Sequence, residues 1–138
     1  KGIALPFDIK NQGIYYTGPC PAAPGKIIGS CGPTTSSRMD RYTPLLLDLG
    51  LKIMIGKGQR SPEVIDAMVR NGAVYLAAVG GAGALIAQCV KKAQVIAFDD
   101  LGPEAVYRLE VRNFPLIVAI DARGNNLYDI GPRQYRQL

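Results

Sequence analysis

The sequence predicts an α/β fold, a mostly parallel sheet flanked by helices. Three observations carry this. Strand-like and helix-like stretches alternate along the chain. The strand-like runs are apolar throughout, as strands covered on both faces are. Glycine- or proline-rich punctuation separates them.

The elements follow in order. Ile14–Thr17 is a short β-rich run, followed by a Gly/Pro-rich stretch from Gly18 to Gly25. Lys26–Ser30 reads as a second short strand. Thr34 to Leu49 is helical, with apolar residues at Met39, Tyr42, Leu45, Leu46 and Leu49. Pro44 either kinks this helix or takes the first position of a second one capped by Thr43. Lys52–Ile55 is a buried strand ending in Gly56-Lys57-Gly58. Ser61-Pro62-Glu63 opens a helix that Asn71-Gly72 closes: serine caps, proline suits the first turn, and glycine takes the left-handed stop. Ala73–Val79 is a strand that turns through Gly80–Gly83 into a helix, Ala84–Lys92, whose lysines sit at its favourable C-terminal end. Val95–Phe98 and Phe114–Asp121 are strands, and Gly124-Asn125 turns into a last β-run, Asn126–Asp129.

The chain has 138 residues, of which 48% are hydrophobic and 20% charged, which fits one soluble domain, residues 1–138, around one core. It holds no apolar run of about 18 residues, so no membrane span is expected, and no secretory leader pattern opens it. The net charge is +5, yet the basic residues are scattered and not interleaved with aromatics. That permits anion binding and gives no case for nucleic acid. Three cysteines (Cys20, Cys31, Cys89) at wide spacing and no histidine give neither a zinc site nor a disulfide framework. A reducing, cytoplasmic location follows. Cys89 lies in a helical apolar pattern and reads as core.

Four stretches could carry chemistry. Gly32-Pro33-Thr34-Thr35-Ser36-Ser37-Arg38 leads a turn into a helix, whose first N–H groups are unpaired and favour an anion. Thr34, Thr35 and Ser36 add hydroxyls, and Arg38, four residues after Thr34, can grip a carboxylate with two hydrogen bonds. Capping would explain one hydroxyl, not three and an arginine. Gly56-Lys57-Gly58 follows a strand, where ligands gather in parallel sheets. Its spacing is not that of a P-loop. Val79-Gly80-Gly81-Ala82-Gly83 lacks the third glycine of a dinucleotide fingerprint and reads as close backbone packing. Asp99 and Asp100 read as loop or capping carboxylates, with Asp100 capping a turn at Gly102–Glu104, and secondarily as acid–base groups.

These stretches occur together with Tyr15-Tyr16-Thr17-Gly18-Pro19, Asp100-Leu101-Gly102-Pro103-Glu104-Ala105 and Phe114-Pro115-Leu116-Ile117-Val118-Ala119-Ile120-Asp121, in one order. So arranged, the whole chain resembles the C-terminal domain, or separate beta subunit, of class I fumarase and L-tartrate dehydratase. Gly-Pro-Thr-Thr-x-x-Arg-Met is the most specific part of the likeness. The resemblance implies a swivelling β/β/α domain. It implies a [4Fe-4S] cluster held by a partner, a cluster-bearing alpha subunit, and no metal on this chain, in agreement with the cysteine spacing. It implies a hetero-oligomer, such as a dimer of heterodimers, acting on a small dicarboxylate with the open iron as Lewis acid. By that likeness Thr34 matches a catalytic threonine. Thr35, Ser36 and Arg38 fall in the substrate-carboxylate motif, and Lys57 matches a substrate-binding lysine. Nearby cations and a helix dipole would favour ionisation of Thr34. The family's upstream Arg-Asp-x-x-His stretch has no counterpart here, so the domain is expected to lack its N-terminal portion.

The expected function is the beta subunit of a hydro-lyase interconverting fumarate and malate. Tartrate or another hydroxy-diacid is the alternative substrate, and a stand-alone, non-catalytic anion-binding module is the alternative class.

Overall fold

The computed structural model describes residues 5–135. In chain order the elements are β1 (Gly13–Tyr15), α1 (Thr43–Asp48), β2 (Ile53–Gly56), α2 (Pro62–Asn71), β3 (Val74–Ala77), α3 (Gly83–Cys89), β4 (Val90–Ala97), β5 (Val106–Val111), β6 (Ile117–Ile120) and α4 (Leu127–Tyr135). Short 3₁₀ segments cover Ser36–Met39 and Asp99–Glu104.

The main sheet has the order β1-β2-β3-β6. β1, β2 and β3 run parallel and β6 runs antiparallel at the edge. The expected α/β class with a mostly parallel, helix-flanked sheet is what the chain adopts. β4 and β5 form a separate antiparallel pair.

Side chains alternate across β2 as strand geometry requires. Met54 enters a core with Leu47 of α1, and Val64, Ala67 and Met68 of α2. Ile55 faces a second cluster around Cys31, Ala78, Ile86 and Val90. Helices therefore cover both faces of the parallel strands. Val64, Ala67 and Met68 recur at the i, i+3, i+4 spacing that puts them on one face of α2. That helix begins and ends as its sequence demands. Ser61 Oγ accepts the Val64 N–H at 3.3 Å, and Gly72 closes it at φ 65°. The cap contributes about 1 kcal/mol. No helix among the described residues is long and apolar enough to cross a membrane.

Several expectations give way. Lys26–Ser30 is not a strand. Prolines 19, 21 and 24 interrupt the opposing segment, and Gly29 packs so tightly on it that a Cβ there would meet the Cys20 carbonyl oxygen at 2.2 Å. Thr34–Leu49 is not one helix. A 3₁₀ turn comes first, then α1, with Tyr42 at its cap and Pro44 in its first turn, close to the second of the two readings of Pro44. α3 stops at Cys89, so Lys91 and Lys92 lie on β4 instead of a helix end. The β-branched Val90 and Val95 pair with Val111 and Tyr107 of β5, and cross-strand partners override the lysines' helical preference. β5 itself, Val-Tyr-Arg-Leu-Glu-Val, escaped the sequence reading. Asn126–Asp129 is the start of α4: Asn126 Oδ1 accepts the Tyr128 N–H at 3.0 Å. Cys89 is only half-buried, and the core thiol is Cys31. Asp100 makes no side-chain cap, and the residue before its 3₁₀ turn is Phe98, at φ 56°.

Candidate functional site

Three of the four stretches meet at the carboxyl ends of the parallel strands. β1 hands over to the Gly32–Ser36 loop through Tyr16, whose N–H donates to the Ile55 carbonyl and whose carbonyl accepts the Thr34 N–H, each at 2.8 Å. Thr35 then pairs in parallel with Lys57, and the Ser36 N–H donates to the Lys57 carbonyl at 3.0 Å. A Cβ on Gly58 would meet Thr35 Cγ2 at 3.9 Å, and one on Gly80 would meet Lys57 Cδ at the same distance. The Cys31 N–H donates to the Gly83 carbonyl at 3.2 Å, which draws the third glycine stretch under the loop. The expected close packing holds at Gly83, where a Cβ would meet the Gly32 nitrogen at 2.9 Å, whereas Gly81, at φ 81°, has open space around it. The fourth stretch, Asp99–Glu104, sits at the turn of the β4–β5 hairpin.

The predicted residues do not all face the same way. Thr34, Arg38 and Lys57 are exposed and Thr35 is half-exposed. No carboxylate among the described residues pairs with Arg38 or Lys57. Lys57 thus stands beside Thr35 without a carboxylate partner, and Arg38 follows three residues later; both are groups of a kind that binds a carboxylate. Ser36 is fully buried, with its Oγ 2.8 Å from Tyr75 Oη. The helix N-terminus expected here is a four-residue 3₁₀ turn, and the Thr34 and Ser36 N–H groups already have partners. A four-residue 3₁₀ turn carries little dipole, so Lys57 and Arg38 are the charges this segment offers an anion.

Beneath the loop lies a polar group that the sequence reading missed. Arg60, 5% exposed, ion-pairs with Asp40 at 2.6 Å, and the second oxygen of Asp40 accepts the Ser61 N–H at 2.7 Å. Arg60 also donates to Thr43 Oγ1 at 3.0 Å. Its guanidinium lies 5.3 Å and 5.1 Å from the rings of Tyr16 and Tyr75, within cation–π range. Tyr128 of α4 accepts the Gly58 N–H at 3.2 Å. The available signal was slight: an arginine two residues after Gly58 and a tyrosine inside an apolar strand.

Tyr16 Oη is buried with no hydrogen-bond partner among the described residues. An unsatisfied buried hydroxyl costs on the order of 1 kcal/mol or more. Tyr16→Phe is therefore expected to raise stability by about 1 kcal/mol, read from the urea midpoint of the chain. A clear loss would show that the hydroxyl has a partner.

Burial pushes the Tyr75 phenol up to about 12, against the lowering effect of its hydrogen bond with Ser36. Burial, with Cys31 adding to it, also holds the Tyr15 phenol above its ordinary value. Both keep their protons in the folded chain when unfolded tyrosines, near pH 10, lose theirs. The folded state then binds more protons, so stability falls as pH rises. Full stability is expected below pH 10, with a decline between pH 10 and about 12. Denaturant midpoints across that window check it, and Tyr75→Phe should flatten the decline.

The described residues do not fit an iron–sulfur cluster. Cys20 is exposed, Cys31 buried and Cys89 half-buried, and no three Cys, His, Asp or Glu side chains converge. Burial raises the Cys31 thiol, which disfavours the thiolate a metal needs. An open depression of about 430 Å³ lies nearby, lined by Asp40, Arg41, Pro44, Ser61 and Glu63.

A family model described as Fumarase C-terminus matches residues 1–131. The chain is similar to the anaerobic class I fumarate hydratase of Escherichia coli K12, 42% identical over 129 residues, 92% of this chain and 24% of that protein. Fumarate hydratase 2 of Leishmania major is 41% identical over 130 residues, 93% of this chain and 23% of that protein. A putative L(+)-tartrate dehydratase subunit beta of Methanocaldococcus jannaschii is 41% identical over 141 residues, 97% of this chain and 72% of that protein. The chain thus spans about a quarter of the length of the fumarate hydratases it matches.

Proposed function

Because this chain belongs to the Fumarase C-terminus family, we propose that it is the carboxylate-binding part of a hydro-lyase that interconverts fumarate and malate. The observation that carries this is the Thr35–Lys57 pairing. It sets Thr35 beside a lysine that has no carboxylate partner among the described residues, at the carboxyl end of a parallel sheet, with Thr34 next to it in the loop and Arg38 on the following turn.

On this reading Lys57 and Arg38 hold one carboxylate of the substrate, and Thr35 adds a hydroxyl donor. Removal of a proton from the adjacent carbon pushes negative charge onto that carboxylate, so its cations bind the transition state more tightly than the ground state. Thr34, next to Thr35 in the loop, is the residue assigned to proton transfer on this reading, with nearby cations favouring loss of its proton. The iron–sulfur cluster belongs to a cluster-bearing alpha subunit, and the working enzyme is a hetero-oligomer, such as a dimer of heterodimers. Three unpaired cysteines suit the reducing cytoplasm.

A second substrate has its own support. The relative covered to 72% of its length is the tartrate dehydratase beta subunit, so a hydroxy-diacid such as tartrate is the alternative.

The test is an anaerobic pull-down of this chain from its source, with iron content, fumarate hydration and tartrate dehydration measured on the eluate. A co-purifying iron–sulfur chain with turnover of either substrate supports the proposal and selects between the two. A chain that elutes alone, without iron and inactive with both, would point to a stand-alone anion-binding module.

A further inference from the structure

We infer that Tyr75 and Ser36 form a buried clasp that positions the carboxylate site, setting the gap between Thr35 and Lys57. This rests on the reading of Thr35, Lys57 and Arg38 as the carboxylate site. Ser36 is thereby a positioning residue and not a ligand contact.

The geometry is specific. Tyr75 lies on β3, at the centre of the sheet, with its side chain fully buried. Its Oη stands 2.8 Å from Ser36 Oγ and 2.9 Å from the Gly58 carbonyl oxygen. A carbonyl only accepts, so the single phenol proton goes to Gly58. The Ser36 hydroxyl then donates its own proton to Tyr75 Oη, and the two bonds form a directed chain. One end of that chain is the loop that carries Thr34 and Thr35. The other is the turn that carries Lys57.

Two further features fit a clasp. A Cβ on Gly56 would stand 2.0 Å from Ser36 Oγ, so the strand end is hollowed for this hydroxyl. The Ser36 N–H, donating to the Lys57 carbonyl, closes the same junction from the backbone side. The Thr17–Pro33 bridge and the Thr34 N–H bond to Tyr16 tie the loop to β1, and the Thr35–Lys57 bridge is its one ladder link to the Lys57 turn among the described residues. Its distance from Lys57 therefore depends on these few bonds. Since Lys57 and the loop bind one carboxylate together, a small widening weakens that grip.

The experiment uses the chain assembled with its cluster-bearing partner, as wild type, Tyr75→Phe, Ser36→Ala and the double variant. Tyr75→Phe keeps the ring against Arg60 and removes only the hydroxyl. Kinetics with fumarate and L-tartrate are measured well below the unfolding temperature, together with amide hydrogen exchange. In Tyr75→Phe, KM is expected to rise about tenfold with a smaller change in kcat, the scale of one lost hydrogen bond. Exchange at residues 33–38 should speed about tenfold while α2 stays protected. The double variant should be no worse than the more affected single one, because both break one chain of bonds. Unchanged exchange at 33–38, faster exchange spread evenly over the chain with unchanged KM, or additive effects would overturn the clasp. A wild-type assembly that turns over neither substrate would overturn the hydro-lyase reading alone. The exchange pattern then still decides the clasp.

Discussion

On the proposed function, Arg38→Ala in the assembly with a cluster-bearing partner is expected to lower kcat/KM by on the order of 10²- to 10³-fold, the loss found when a charge-stabilising donor is removed. The reason lies in how the arginines are used. Arg60 is committed to Asp40 and Arg70 to Asp48. Arg41 lies over the Tyr42 ring, 5.9 Å from its centroid. Arg38 has no such partner among the described residues and is exposed on the turn that follows Thr34 and Thr35. A planar guanidinium there offers a carboxylate two parallel hydrogen bonds, which an ammonium cannot reproduce. Arg38→Lys should therefore restore only part of the activity. Neither variant should alter the iron–sulfur absorbance of the assembly or the urea midpoint of the chain, since the side chain holds nothing in place. Full turnover in Arg38→Ala would remove this residue from the site.

Asp40→Ala should destabilise the chain by about 3–5 kcal/mol, the cost of leaving a buried charge without its partner. The Arg60 side chain is fully buried and Asp40 is 13% exposed, so water cannot take over the pairing. The same substitution strips the Ser61 N–H at the start of α2 of its acceptor. Domains of this size are stable by only about 5–15 kcal/mol, so the loss would take a large share of the total. Equilibrium urea unfolding of the full chain measures it. Replacing both partners, Asp40→Leu with Arg60→Met, should cost less than Asp40→Ala, because no orphaned charge remains. A cost below about 1 kcal/mol for Asp40→Ala would mean that the pair behaves like an exposed one. Asp40 follows Arg38 and Met39, so this pair also pins the far end of the loop that the Tyr75 hydroxyl holds from beneath.

Much of the proposed site is legible in the sequence because its residues are consecutive. Gly32–Arg38 and Gly56–Gly58 each announce themselves by local chemistry: glycines for tight turns, hydroxyls and a cation for an anion. What each side chain faces was not legible. Thr34 and Ser36 are equivalent as letters, yet one is exposed and the other fully buried against a tyrosine 39 residues later in the chain. The expected helix dipole at Thr34 also disappeared, because the loop pairs with Lys57 before any helix can start. That pairing depends on a strand contact between residues 22 positions apart, which no local pattern contains.

By itself the sequence determined the class of the fold, the positions of β1, β2 and β3, both caps of α2 and the family. These follow from short-range rules: apolar runs make buried strands, Ser-Pro starts a helix and Gly stops it, and the Gly-Pro-Thr-Thr-x-x-Arg-Met stretch is contiguous. Only the tertiary structure decided that β4 and β5 leave the main sheet as a hairpin and that the loop's middle hydroxyls divide between surface and core. Only it showed Arg60 and Asp40 bracing the site from below. Each of these is a contact between segments distant in the chain, where burial and the need to satisfy every buried polar group outweigh local preference.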